Sequence, residues 1–196
     1  MGLRYVALGD SYTIGTSVRA GERWPDQLVA RVPALDLVAN LGVNGYTSRD
    51  LIRDELPRMP SLRPDFLTVL IGVNDVVQGV PAATYAANVA AILDQVVGMV
   101  GAGRALVVTT PDYTFTPAGA DYGNPIRQST GIRTNNAIIT AAATARGITV
   151  VDIHDISLGA KTDRSLVADD GLHPSGAQYA LWVDRIAPMM AALLGP

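Results

Sequence analysis

Five short runs rich in aliphatic and β-branched residues constrain this chain most: Arg4 to Leu8, Leu35 to Asn40, Phe66 to Ile71, Ala105 to Thr109 and Ile148 to Ile153. Each precedes a turn and then a stretch of helical periodicity. Strands that alternate with helices pair in parallel, because a parallel neighbour needs a crossover connection. The expectation is an α/β chain whose parallel sheet carries helices on both faces. The helical stretches read as Trp24 to Val32, Ser48 to Leu56, Pro81 to Val100, about Ile126 to Arg146, and Ser175 to Leu194. In the last, Ala177, Leu181, Ile186, Met190 and Leu193 read as the core-facing stripe. Pro25 and Pro81 suit first-turn positions, Pro174 suits the start of the last helix, and Gly103 and Gly147 stand where a helix must end before a strand. No repeat or linker interrupts the pattern, so residues 1–196 are expected to form one domain.

Charge and residue usage narrow the chemistry. A net charge of −3 with scattered cations offers no basic stripe, so neither nucleic acid nor an anionic membrane is an expected partner. Without cysteine there are no disulfides, zinc–thiolate sites or thiol nucleophiles, which makes serine the first nucleophile to consider. The Pro81 to Gly101 stretch is interrupted by Tyr85, Asn88, Asp94, Gln95 and Gly98, so no membrane span is expected. The first residues, Met1-Gly2-Leu3-Arg4, lead straight into Tyr5-Val6-Ala7-Leu8 without signal-peptide features, so the expected location is cytoplasmic. The oligomeric state stays open.

Four segments hold residues suited to acyl transfer. Gly9-Asp10-Ser11-Tyr12 places a serine where the first strand turns toward a helix, although a serine there also fits a plain helix cap. Asp169-Asp170-Gly171-Leu172-His173-Pro174 holds one of only two histidines. A tight turn at its glycine can bring the Asp170 carboxylate onto one imidazole nitrogen, leaving the other free to accept a serine proton. After the second strand, Asn44-Gly45-Tyr46-Thr47-Ser48 offers a glycine N–H that a substrate can approach closely. After the third, Gly72-Val73-Asn74-Asp75 offers a side-chain amide. Gly45 alone also fits a turn, and Asn74-Asp75 alone a helix cap.

Together these four blocks resemble the SGNH hydrolase family, also called GDSL esterases or lipases, and the resemblance spans nearly the whole chain. It implies Ser11 as nucleophile, Asp170 and His173 as the other triad members, and the Ser11 N–H, Gly45 and Asn74 as oxyanion donors. It also implies a three-layer α/β/α sandwich on a five-stranded parallel sheet of order 2-1-3-4-5, with no cofactor and no metal. Tyr12 stands where the family usually has leucine.

The expected activity is hydrolysis of carboxylic esters with a short or medium acyl chain, a small-molecule substrate class. A carbohydrate acetylesterase, a thioesterase and an acyltransferase would share the site. Pro111 to Pro125 is long for a loop after a strand, and its Tyr113, Phe115 and Tyr122 suit an apolar wall or lid. Asn44, Tyr46 and Asp112 suit a sugar or other polar alcohol. Several rivals explain less. A nucleotide-binding domain lacks its phosphate loop, since Thr16 stands where lysine is required. An α/β-hydrolase lacks Gly-x-Ser-x-Gly. A metal phosphoesterase could draw on Asp10, Asn74, Asp152, His154 and His173, but with two histidines its site would have to be rich in carboxylates, and His154 fits either the pocket or the surface. A non-catalytic flavodoxin-like binding module leaves the four blocks without a reason.

Overall fold

A computed structural model describes residues 2–195. Its sheet is wholly parallel, in the order β2-β1-β3-β4-β5. The strands are β1 Leu3–Gly9, β2 Leu35–Asn40, β3 Phe66–Leu70, β4 Ala105–Val108 and β5 Thr149–Val151. Alternation along β1 shows why two layers of helix are needed: Tyr5 and Ala7 enter one core, Val6 and Leu8 the other. The first core is closed by α2 (Trp24–Arg31) and α9 (Gly176–Leu194). The second is closed mainly by α6 (Ala82–Val100) together with Ile139 and Ala143 of α7 (Pro125–Thr144).

Several sequence expectations are corrected. The buried stripe of α9 is Tyr179, Trp182, Val183, Ile186 and Met190, whereas Leu181 is 43% exposed. The aromatic pair Tyr179 and Trp182 carries the packing there, with ring centroids 4.9 Å apart. Pro174 lies before the helix start: it bridges Val167, and Ser175 caps α9 by accepting the Gln178 N–H. At a mean hydropathy of 1.3, α6 is long and apolar enough to cross a membrane by length and composition, since Asp94 is its only charged residue. One face of it, Tyr85, Val89, Ile92, Leu93 and Val96, is buried against the sheet.

The helix after β2 is irregular for a definable reason. It begins as α3 (Ser48–Asp50), widens into a π-turn over Leu51–Glu55, tightens over Leu56–Arg58 and resumes as α4 (Met59–Leu62). Pro57 and Pro60 have no N–H to give, which removes ladder bonds and lets the register slip. Three further short helices start at the carboxyl edge of the sheet or just beyond it: α1 (Ser11–Ile14), α5 (Val73–Val77) and α8 (His154–Ser157). This edge gathers ligands in open α/β folds.

Candidate active site

The first strand ends in a backbone that only glycine accepts. Gly9 has φ +153, and a Cβ there would sit 2.3 Å from the Leu70 carbonyl oxygen. Asp10, not Ser11, caps α1: its Oδ1 accepts the Tyr12 N–H at 3.0 Å. Ser11 therefore occupies the first helical position, where N–H groups have no acceptor within the helix. Its hydroxyl has no hydrogen-bond partner among the described residues, and the residue is 6% exposed.

Two buried carboxyls support this turn. The Gly9 N–H donates to Glu55 Oε2 at 2.9 Å, and the π-turn before Pro57 places Glu55 there. Burial pushes Glu55 up to about 9, with the charge of Asp10 adding to the rise, and burial pushes Asp10 up to about 8. Among the described residues, Asp10 Oδ2 and Glu55 Oε1 have no donor. An acid whose pKa is raised by folding loses stability as pH climbs from its unfolded pKa to its folded one. Glu55→Gln keeps the acceptor for Gly9 and carries no charge. It is expected to raise the melting temperature at about pH 8 and to leave it unchanged near pH 4, where an unfolded glutamate is also protonated. Thermal melts at both values check this, and an equal gain at both would contradict it.

The second and third blocks are bound to one another. Val43 to Tyr46 forms a turn closed by Tyr46 N–H to Val43 O at 3.2 Å, with Gly45 at φ +81, the position that requires glycine. Apart from its two chain neighbours, no atom of the described residues lies within 4 Å of a Cβ built there, so the requirement is conformational rather than steric. Asn74, in α5, donates from Nδ2 to Tyr46 O at 2.9 Å, which uses one amide hydrogen and orients the other. The neighbouring Asp75 is buried and accepts from Ser48 N–H (2.9 Å) and Ser48 Oγ (2.6 Å), fixing α5 to α3. Gln78, which the sequence does not single out, donates to Gly45 O at 2.9 Å.

The fourth block is the turn Ala168 to His173, with Gly171 at φ +72. His173 Nδ1 lies 2.6 Å from Asp170 Oδ2, while Asp170 Oδ1 accepts the N–H groups of Leu172 and His173, both at 2.9 Å. Burial alone would raise Asp170, but these bonds and one from Ser17 Oγ at 2.7 Å hold it down at about 2. With Nδ1 engaged, Nε2 is the nitrogen left to exchange a proton. Tyr12 takes a structural part: its ring meets the His173 ring edge-on at 5.7 Å and Trp182 at 6.4 Å. It thus packs the residue after the serine against the imidazole.

The loop residues divide. Asp112 does not face a polar alcohol as expected. It is 1% exposed and accepts from Ser129 Oγ (2.5 Å), Thr114 Oγ1 (2.6 Å) and Thr114 N–H (2.9 Å), so its oxygens are spent on the loop and on α7. Tyr113 is buried in the core beside Tyr122, with rings 5.8 Å apart, and Tyr122 is 45% exposed. Phe115 is half-buried under the Lys161 ammonium, 5.6 Å from its ring centre. Tyr46 is half-buried. The loop meets the histidine turn through Ala118 N–H to Gly171 O at 2.9 Å. His154 lies 3.7 Å from Asp112 and lines a hollow with Asp152 and Arg133. No group of three or more His, Asp or Glu side chains able to hold a metal occurs among the described residues.

Residues 7–181 match the model of the GDSL-like lipase/acylhydrolase family. No curated protein matches the chain. Among solved structures, a lipolytic protein of the G-D-S-L family from Veillonella parvula is 16% identical, with a TM-score of 0.77 over 94% of this chain and 96% of that one. A catalytic mutant of an acetylxylan esterase from Geobacillus stearothermophilus is 19% identical, with a TM-score of 0.75 over 97% and 96%. The protein TesA is 18% identical, with a TM-score of 0.73 over 97% and 99%. These likenesses show the fold alone.

Proposed function

Because this chain belongs to the GDSL-like lipase/acylhydrolase family, a family of ester-hydrolysing enzymes, we propose that it is a serine carboxylesterase acting through Ser11, His173 and Asp170. The observation that carries the reading is the 2.6 Å contact between His173 Nδ1 and an Asp170 carboxylate that stays ionised down to about pH 2. That contact fixes the tautomer in which Nε2 is a base. As Ser11 Oγ attacks the ester carbonyl, Nε2 takes its proton. The oxyanion then accepts from the N–H groups of Ser11 and Gly45 and from the second Asn74 amide hydrogen. Collapse expels the alcohol, protonated by His173, and water repeats the sequence on the acyl-enzyme.

Asn74→Ala removes one oxyanion donor. The expected loss is about a hundredfold or more in kcat with KM little changed, since the donor acts on charge that exists only in the transition state. Steady-state kinetics on a p-nitrophenyl ester separate this from a rise in KM alone, which would make Asn74 a substrate-binding group.

A groove of about 530 Å³ runs beside α5, walled by Val76, Val77 and Val80 and faced by Asn124, Arg127 and Gln128. None of Ser11, Gly45, Asn74, Asp170 and His173 lines it, so the acyl chain and the alcohol are assigned by substrate trial rather than by this groove. A panel of p-nitrophenyl esters of increasing chain length, run beside acetylated sugars and acyl thioesters, tests the function. Turnover of none of them would refute the esterase reading.

A further inference from the structure

We propose that Ser17 is a positioning residue for the Asp170–His173 pair, its hydroxyl fixing the carboxylate oxygen that orients the imidazole. The proposal rests on the reading of His173 as the general base. Ser17 and Arg63 are the non-glycine residues with positive φ among the described residues, at +66 and +45. Arg63 has an ordinary reason, since it ends α4 in the left-handed conformation and donates its N–H to Met59 O. Ser17 does not: α1 has already been closed by Gly15 at φ +73. Left-handed backbone is disfavoured for an L-residue and natural for glycine, so a serine kept there must be compensated by its side chain.

The side chain supplies that compensation. Ser17 Oγ donates to Asp170 Oδ2 at 2.7 Å, the same oxygen that meets His173 Nδ1 at 2.6 Å. The remaining donors to Asp170, the N–H groups of Leu172 and His173, belong to its own turn. Ser17 is therefore the donor that ties this carboxylate to the segment following the nucleophile. The adjacent Thr16 hydroxyl donates to Asn44 Oδ1, in the turn that carries Gly45. Residues 16 and 17 thus join α1 both to the oxyanion turn and to the histidine turn. Without the Ser17 hydroxyl, Oδ2 keeps the imidazole alone, and the rotation of the carboxylate, hence the aim of Nε2, is less restricted.

Two substitutions separate this role from plain structure. Ser17→Gly removes the hydroxyl and relieves the backbone; Ser17→Asn tolerates the left-handed region and offers an amide hydrogen to Oδ2. For Ser17→Gly the expectation is an unchanged or raised melting temperature, an unchanged KM, and a kcat lowered about five- to tenfold, somewhat less than the whole worth of one hydrogen bond to a charged group because Ser17 acts through Asp170. The acid limb of its kcat/KM profile should move to higher pH, because a carboxylate with one donor fewer holds the imidazolium more strongly. Ser17→Asn should recover most of both. The measurements are melts and p-nitrophenyl acetate kinetics over about pH 5 to 9, with fluorophosphonate labelling of wild type as control. Wild-type kcat and pH profile in Ser17→Gly, or a loss that follows a lowered melting temperature and is not recovered by Ser17→Asn, overturns the positioning role alone. Failure of the probe to label wild type overturns the base assignment and this role with it.

Discussion

Ser11→Ala is expected to lower kcat by about 10⁶-fold, to the residue of rate that oxyanion donors and substrate binding supply without a nucleophile. The same substitution should abolish fluorophosphonate labelling. The structure makes this a clean experiment. Ser11 is not the cap of α1, a task that falls to Asp10, and its hydroxyl bonds to nothing else among the described residues. Alanine is the best helix former and sits well at a first helical position, so the variant should melt within a degree or two of wild type. Had Ser11 been the cap, its removal would itself cost about 1 kcal/mol, and lost activity could be blamed on lost structure. An alanine variant that still labels, or that retains even one part in a hundred of the activity, would place the nucleophile elsewhere.

What the sequence reveals here depends on how local the determinant is. The five strands are legible because each is a short aliphatic run whose burial follows from its own composition, and the sheet order follows from the family resemblance. The four blocks are legible because Gly9, Gly45, Gly72 and Gly171 stand at turns that demand glycine, each within three residues of the group it serves. Asp112 reads as a site residue by position, after a strand at the ligand-gathering edge. Whether it faces outward is decided by Ser129, which reaches it from α7 seventeen positions away. Ser17 is less legible still. Nothing in Gly15-Thr16-Ser17 signals a left-handed serine, and its partner lies 153 positions further on. The helix from Ser48 illustrates a third case: Pro57 and Pro60 are visible, but that their slip seats Glu55 beneath Gly9 becomes apparent only when β1 is in place.

Asp170→Asn should lower kcat about 10⁴-fold near neutral pH while leaving KM and the fold intact. The carboxylate receives four hydrogen bonds, two on each oxygen. An asparagine can keep its Oδ1 on the Leu172 and His173 N–H groups, which turns its NH2 toward Ser17 and the imidazole. Nδ1 must then accept rather than donate, the proton moves to Nε2, and the nitrogen that should take the Ser11 proton already carries one. Stability gives an independent check with a definite sign. Folding holds the Asp170 pKa down at about 2, so its contribution is present above the unfolded carboxylate pKa of about 3.9 and is lost as pH falls through the folded value. The wild type's stability margin over Asp170→Asn should therefore be constant above about pH 5 and shrink toward about pH 2, whereas the deficit in kcat persists at neutral pH, where both proteins are fully folded. Activity within tenfold of wild type would mean that His173 is oriented by something other than this carboxylate. The tautomer argument for Ser11 as nucleophile would then lose its support.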